Sequence, residues 1–85
     1  MLKILIAEDE ELIRKGIVLT VDWASLGCIV TAEAANGAEA LEIMDQHKPD
    51  LIITDLKMPV MDGIEMLEVI RKRGDQTPVI ILTAY

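Results

Sequence analysis

Four short apolar runs recur along this chain: Leu2 to Ala7, Cys28 to Ala35, Leu51 to Thr54 and Val79 to Leu82. Short apolar or β-branched runs of this kind read as strands buried on both faces of a sheet. The segments between them carry helical spacing instead. Apolar residues fall at Leu12, Ile13, Gly16, Ile17 and Thr20 within a helix expected from about Glu10 to Val21. A second helix, Ala38 to Gln46, turns Ala40, Leu41 and Met44 inward, and a third does the same with Ile64, Leu67 and Ile70. Strands that alternate with helices of this length imply one α/β domain: a doubly wound parallel sheet with right-handed crossovers and helices on both faces.

The punctuation agrees. Asn36-Gly37 breaks the second run, and Pro49-Asp50 halts the chain before the third. Asp62 and Glu65 have the D-x-x-E spacing of a capping box, and Arg71, Lys72 and Arg73 suit the negative end of that helix, with Gly74 as its stop. Trp23, in the loop after the first helix, is expected to cover one end of the core. The chain stops directly after the fourth run, where the alternation predicts a further helix. The expectation is a domain incomplete at its C-terminus, with the fourth strand an exposed edge able to pair with a second copy.

Composition removes several classes of function. The chain is 52% hydrophobic with 2% aromatic residues, so its core must be aliphatic. A net charge of −7 argues against nucleic-acid binding through this segment, because phosphate contacts need a basic face, and against anionic membranes. Cys28 is the single cysteine, so no internal disulfide can form and a reducing compartment fits. The N-terminus has neither the apolar length nor the cleavage site of a signal peptide, and no run reaches the roughly 18 apolar residues of a membrane span. A cytoplasmic protein is expected.

The chemistry gathers at strand ends. In a parallel sheet every carboxyl end lies along one edge, which is where open α/β sheets place ligands. Glu8 and Asp9 leave the first run, Asp55 ends the third and Thr83 follows the fourth. If the first and third strands are neighbours, about 4.8 Å apart, three carboxylates converge. Such a cluster makes sense around a divalent cation with hard oxygen ligands, which describes Mg²⁺. An Asp carboxylate is a competent covalent nucleophile for a phosphoryl group. Asp55 is the natural acceptor, and Glu8 and Asp9 the natural metal holders.

Three segments, ILIAEDE, ITDLKMPVMDG and VIILTAY, resemble the receiver domain of two-component response regulators, and the resemblance runs through all 85 residues. It implies a flavodoxin-like fold of five strands, four of which are present here. It also implies that Asp55 takes a phosphoryl group from a histidine kinase and that Asp9 binds Mg²⁺ directly. Glu8 would act through water and Lys57 through its backbone carbonyl. Thr83 would contact the phosphoryl group and switch position. The family's fifth strand, the lysine that pairs with the phosphoryl group, the switch aromatic and the final helix are absent from these residues. The Asp22-Trp23, Leu26-Gly27 and Ala35-Asn36-Gly37 pattern resembles a subgroup whose chains continue into an AraC-type DNA-binding output region, so the full protein is expected to regulate transcription.

Plainer readings hold elsewhere. Glu10 and Glu11 favour a helix N-terminus, Asp62 is a cap rather than a ligand, His47 faces solvent and Cys28 is a small core residue. Among competing functions, an aspartyl-nucleophile Mg²⁺ hydrolase needs an acid two residues beyond its nucleophile, and Lys57 stands there. A flavodoxin-like cofactor binder needs a phosphate loop after the first strand, where Glu8 to Glu11 would repel phosphate. A phosphorylation-incompetent interaction module is the remaining alternative, arising only from truncation.

Overall fold

The computed structural model describes residues 1–82. Four strands are present: β1 (Leu2–Ala7), β2 (Cys28–Ala34), β3 (Leu51–Asp55) and β4 (Val79–Leu82). Three α-helices alternate with them: α1 (Glu11–Thr20), α2 (Gly37–His47) and α3 (Gly63–Lys72), with a short 3-10 turn at Ala24–Leu26. The strands form one parallel sheet in the order β2-β1-β3-β4, so the switch in winding direction falls between β1 and β3. This is the flavodoxin-like arrangement.

The two faces of the sheet are furnished differently. Leu5 and Ala7 of β1, Ala34 of β2 and Ile52 of β3 meet Ala40, Leu41 and Met44 of α2 and Met66 and Ile70 of α3 in one buried aliphatic cluster. Burying a side chain such as Ile52 completely stabilises the fold by roughly 1.5–3 kcal/mol. The opposite face carries Ile4 and Ile6, also fully buried, with α1 across it. No residue of α1 is buried, however, and Leu12, expected to face inward, is 89% exposed. Half-buried Ile17 and Val18 pack α1 over this face, and Arg14 and Lys15 both reach Glu33 of β2.

Local signals explain where the helices start. The Asp62 carboxylate accepts from the Glu65 N–H and the Glu65 carboxylate accepts from the Asp62 N–H, a complete capping box. Asn36 does more than break β2, because its side chain accepts from the Glu39 N–H and caps α2. Trp23 is half-buried with its indole N–H on the Val18 carbonyl, and Cys28 is half-buried rather than a core residue. His47 is exposed, as expected. Among the described residues β4 is an outer strand of the sheet, and Ile80 and Leu82 on it are 47% and 42% exposed.

One irregularity lies in β2. Ile4 is paired with Val30, but Leu5 is paired with Ala32, so Thr31 is an extra residue opposite no partner, a β-bulge. The bulge changes the phase of the strand. Val30 shares a face with Ile4, and after the bulge it is Glu33 that lies beside Ile6 on that same face.

Candidate functional site

The carboxyl edge of the sheet is where β1 and β3, now shown to be neighbours, end. Ala7 pairs with Thr54, so the next residues, Glu8 and Asp55, emerge side by side. Carboxylate oxygens of Glu8, Asp9 and Asp55 lie within 4.8 Å of one another. Glu8 is buried, Asp55 half-buried and Asp9 exposed, so the cluster opens outward on the Asp9 side.

Glu8 and Asp55 are held by the backbone around them. The Glu8 N–H donates to the Ala34 carbonyl, and the Glu8 carboxylate accepts from the Glu10 N–H at 3.2 Å. Asp55 Oδ1 accepts from the Leu56 N–H at 2.8 Å. Beneath it, the fully buried Thr54 hydroxyl donates to the Asp55 carbonyl at 2.9 Å. Gly63 begins α3 directly against this strand end. A Cβ at residue 63 would sit 2.5 Å from the Asp55 carbonyl oxygen, so only glycine lets the helix approach so closely.

The loop from Asp55 to α3 is tight. The Met61 N–H donates to the Pro59 carbonyl at 2.7 Å across Val60, whose φ is +68°. That is a γ-turn with a β-branched residue in the left-handed region, a costly conformation, and the residue is 83% exposed. The Met61 carbonyl accepts from the Gly37 N–H, joining this loop to the start of α2.

The electrostatics of the cluster are unbalanced. Burial, with the neighbouring carboxylates of Asp55 and Asp9, pushes the Glu8 carboxyl up to about 7, against the pull of the Glu10 N–H. A divalent cation would offset that repulsion, and three oxygen donors around a partly open position match Mg²⁺, which retains several waters. The donor set therefore fits the metal expected from the sequence.

Lys57 lies exposed in the loop two residues beyond Asp55. Thr83 lies outside the described residues; the strand leading to it pairs Leu82 with Asp55. Two residues of this region escaped the sequence reading. Arg14 donates to the Glu8 carbonyl at 2.7 Å and to Glu33 at 3.1 Å. The available signal was Glu33 itself, a lone carboxylate inside the apolar run CIVTAEA.

Comparison with known proteins agrees with this fold. Residues 4–85 match the family described as the response regulator receiver domain. The chain belongs to that family. It is 48% identical over 82 residues to the Regulator of RpoS of Escherichia coli, covering 96% of this chain and 23% of that protein. It is 38% identical to the uncharacterized transcriptional regulatory protein YesN of Bacillus subtilis, covering all of this chain and 23% of that protein. Among solved structures, the REC domain of AraT, a response regulator from Geobacillus stearothermophilus, superposes with a TM-score of 0.89 at 40% identity, over 99% of this chain and 65% of that one. A two component transcriptional regulator AraC from Clostridium phytofermentans gives 0.88 at 36% identity, over 100% of this chain and 68% of that one. The chain thus spans under a quarter of the two curated relatives and about two thirds of the two solved chains.

Proposed function

We propose that this chain is the phosphoacceptor module of a two-component response regulator, with Asp55 as the residue modified. The observation that carries the reading is the convergence of the Glu8, Asp9 and Asp55 oxygens within 4.8 Å at the carboxyl edge of a parallel sheet. In the transfer, an Asp55 carboxylate oxygen forms a bond to phosphorus as the bond between phosphorus and the kinase's histidine nitrogen breaks, and the imidazole leaves. Asp9 and Asp55 would hold Mg²⁺ directly, Glu8 through water and Lys57 through its carbonyl. The ion supplies charge neutralisation for the phosphoryl oxygens. Thr83 is the proposed phosphoryl contact and switch.

The chain catalyses only its own phosphorylation and dephosphorylation in this reading, and it works in the cytoplasm. Its partners are a sensor histidine kinase and an output region for binding DNA, in keeping with relatives named as transcriptional regulators. Pairing of a second copy along β4, the outer strand among the described residues, is a further proposal for this chain on its own, and a sedimentation measurement returning only monomer removes it.

The test is intact-mass spectrometry after incubation with Mg²⁺ and a small-molecule phosphodonor. The expected result is one phosphoryl adduct on the wild type, lost on chelating the metal and absent from Asp55→Asn. An adduct that persists in Asp55→Asn overturns the assignment.

A further inference from the structure

Arg14 is the feature of the site that the function above leaves unused. Its side chain is 14% exposed and is fixed at two points. Nη1 donates to the Glu8 backbone carbonyl at 2.7 Å, while Nε donates to Glu33 Oε1 at 3.1 Å. The planar guanidinium thus bridges the turn that carries Glu8 and Asp9 to the strand on the far side of β1. Lys15 completes the charge balance on the other Glu33 oxygen at 2.9 Å and makes no bond to that turn. Together the two cations hold the Glu33 carboxyl below its ordinary range.

Glu33 could not be there without the bulge. In uninterrupted β2 the residues sharing a face with Val30 would be Ala32 and Ala34, and Glu33 would point into the aliphatic cluster with Ala40 and Leu41. The extra residue, Thr31, reverses that phase, and among the described residues its own buried hydroxyl has no partner. An unsatisfied buried hydroxyl is a cost of about 1–3 kcal/mol. That cost is accepted where the bulge aims a carboxylate at the arginine that grips the acidic turn.

We propose that Arg14, aimed by bulge-directed Glu33, is a positioning residue that sets the affinity of the acidic cluster for its divalent cation by fixing the turn that carries Glu8 and Asp9. The inference rests on the metal reading above. It also runs against simple electrostatics, which gives it a sharp test. Arg14 is a cation next to a cation site, so removing its charge alone would tighten metal binding. Removing the positioning would weaken it.

The experiment is calorimetric titration of the chain with MgCl₂, with no phosphodonor, on wild type and four variants. Arg14→Ala is expected to raise the dissociation constant by about 10-fold or more, the usual effect of losing a group that orients a metal ligand. Arg14→Lys keeps the charge but not the fork, and should recover less than half of that loss on a logarithmic scale. Glu33→Gln, which keeps the shape of Glu33 but weakens its hold on Arg14, should fall between wild type and Arg14→Ala. Lys15→Ala removes the same charge from the same carboxylate and is expected to leave binding unchanged or slightly tighter. Amide hydrogen exchange at residues 8–10 should accelerate in Arg14→Ala and not in Lys15→Ala. If Arg14→Ala binds as tightly as wild type, or if Arg14→Ala and Lys15→Ala shift together, the positioning role is overturned. A wild type that takes up no Mg²⁺ overturns the metal reading and this inference with it.

Discussion

The two faces of the sheet solve the same problem by different chemistry. Beneath α2 and α3, Leu5, Ala7, Ala34 and Ile52 are sealed in a dry cluster in which no member is more than 7% exposed. Across α1, Ile4 and Ile6 are just as buried, but Ile13, Ile80 and Leu82 remain 42–47% exposed and the helix is anchored by Arg14 and Lys15 on Glu33. The strand-end acids follow the second face, because Glu8 continues the phase of Ile4 and Ile6, and Asp55 that of Ile53. Packing supplies stability on one side. On the other, charge adds to the packing of Ile4 and Ile6, and the same charges can also hold a reactive turn in place.

That contrast can be broken by substitution. The largest effect is expected at Ile52, where Ile52→Ala should cost about 2–5 kcal/mol by leaving a cavity in the sealed cluster. On the other face, Ile80→Ala should cost under about 1 kcal/mol. Urea unfolding of both variants compares them directly, and equal losses would abolish the distinction between the faces. Next in size is Gly63→Ala. Its new methyl meets the Asp55 carbonyl oxygen at 2.5 Å, so the helix or the strand end must move, at a cost of about 1–3 kcal/mol. The resonances of Asp55 and Thr54 should shift with it in a heteronuclear NMR spectrum, and an unmoved strand end would show that the close approach is unimportant.

A smaller, opposite effect is expected at Val60, whose left-handed backbone suits glycine. Val60→Gly should stabilise the chain by up to about 1 kcal/mol, read as a higher urea midpoint, and an unchanged or lower midpoint would show that the turn stores no strain worth relieving.

The subtlest effect is on pH dependence. The Glu8 carboxyl rises from 4.5 to about 7 on folding, so between those values the folded chain holds more protons than the unfolded one. Stability without metal should therefore fall as pH rises through that window, and Glu8→Gln should flatten the slope. Glu33, on the same face, is lowered instead; its contribution is present above the unfolded value and lost only as pH falls below it. Added Mg²⁺ should compete with the proton on Glu8, weakening as pH drops below about 7.

Much of this was legible in the residues. The run LIIT is short, apolar and β-branched, so both β3 and the carboxylate it presents could be read without tertiary information. The Asp62–Glu65 capping box was equally visible, because both of its bonds are local. Leu12 misled, since helical spacing shows which residues share a face but not whether anything covers it. Asn36 was read as a breaker alone, though the side chain that ends β2 also starts α2. The bond from Arg14 to the Glu8 carbonyl had no local signature. It depends on a bulge that exists only when β2 is paired with β1.

That bulge has a consequence for how chains of this kind are compared. An insertion or deletion inside a strand is usually treated as noise to be pushed into the nearest loop. At Thr31 a shift of one position would exchange inside for outside for every residue from Ala32 to Ala34. Two sequences with the same letters in this strand but lengths differing by one would therefore aim different side chains at α1, and the count of residues between Gly27 and Asn36 is itself a heritable instruction.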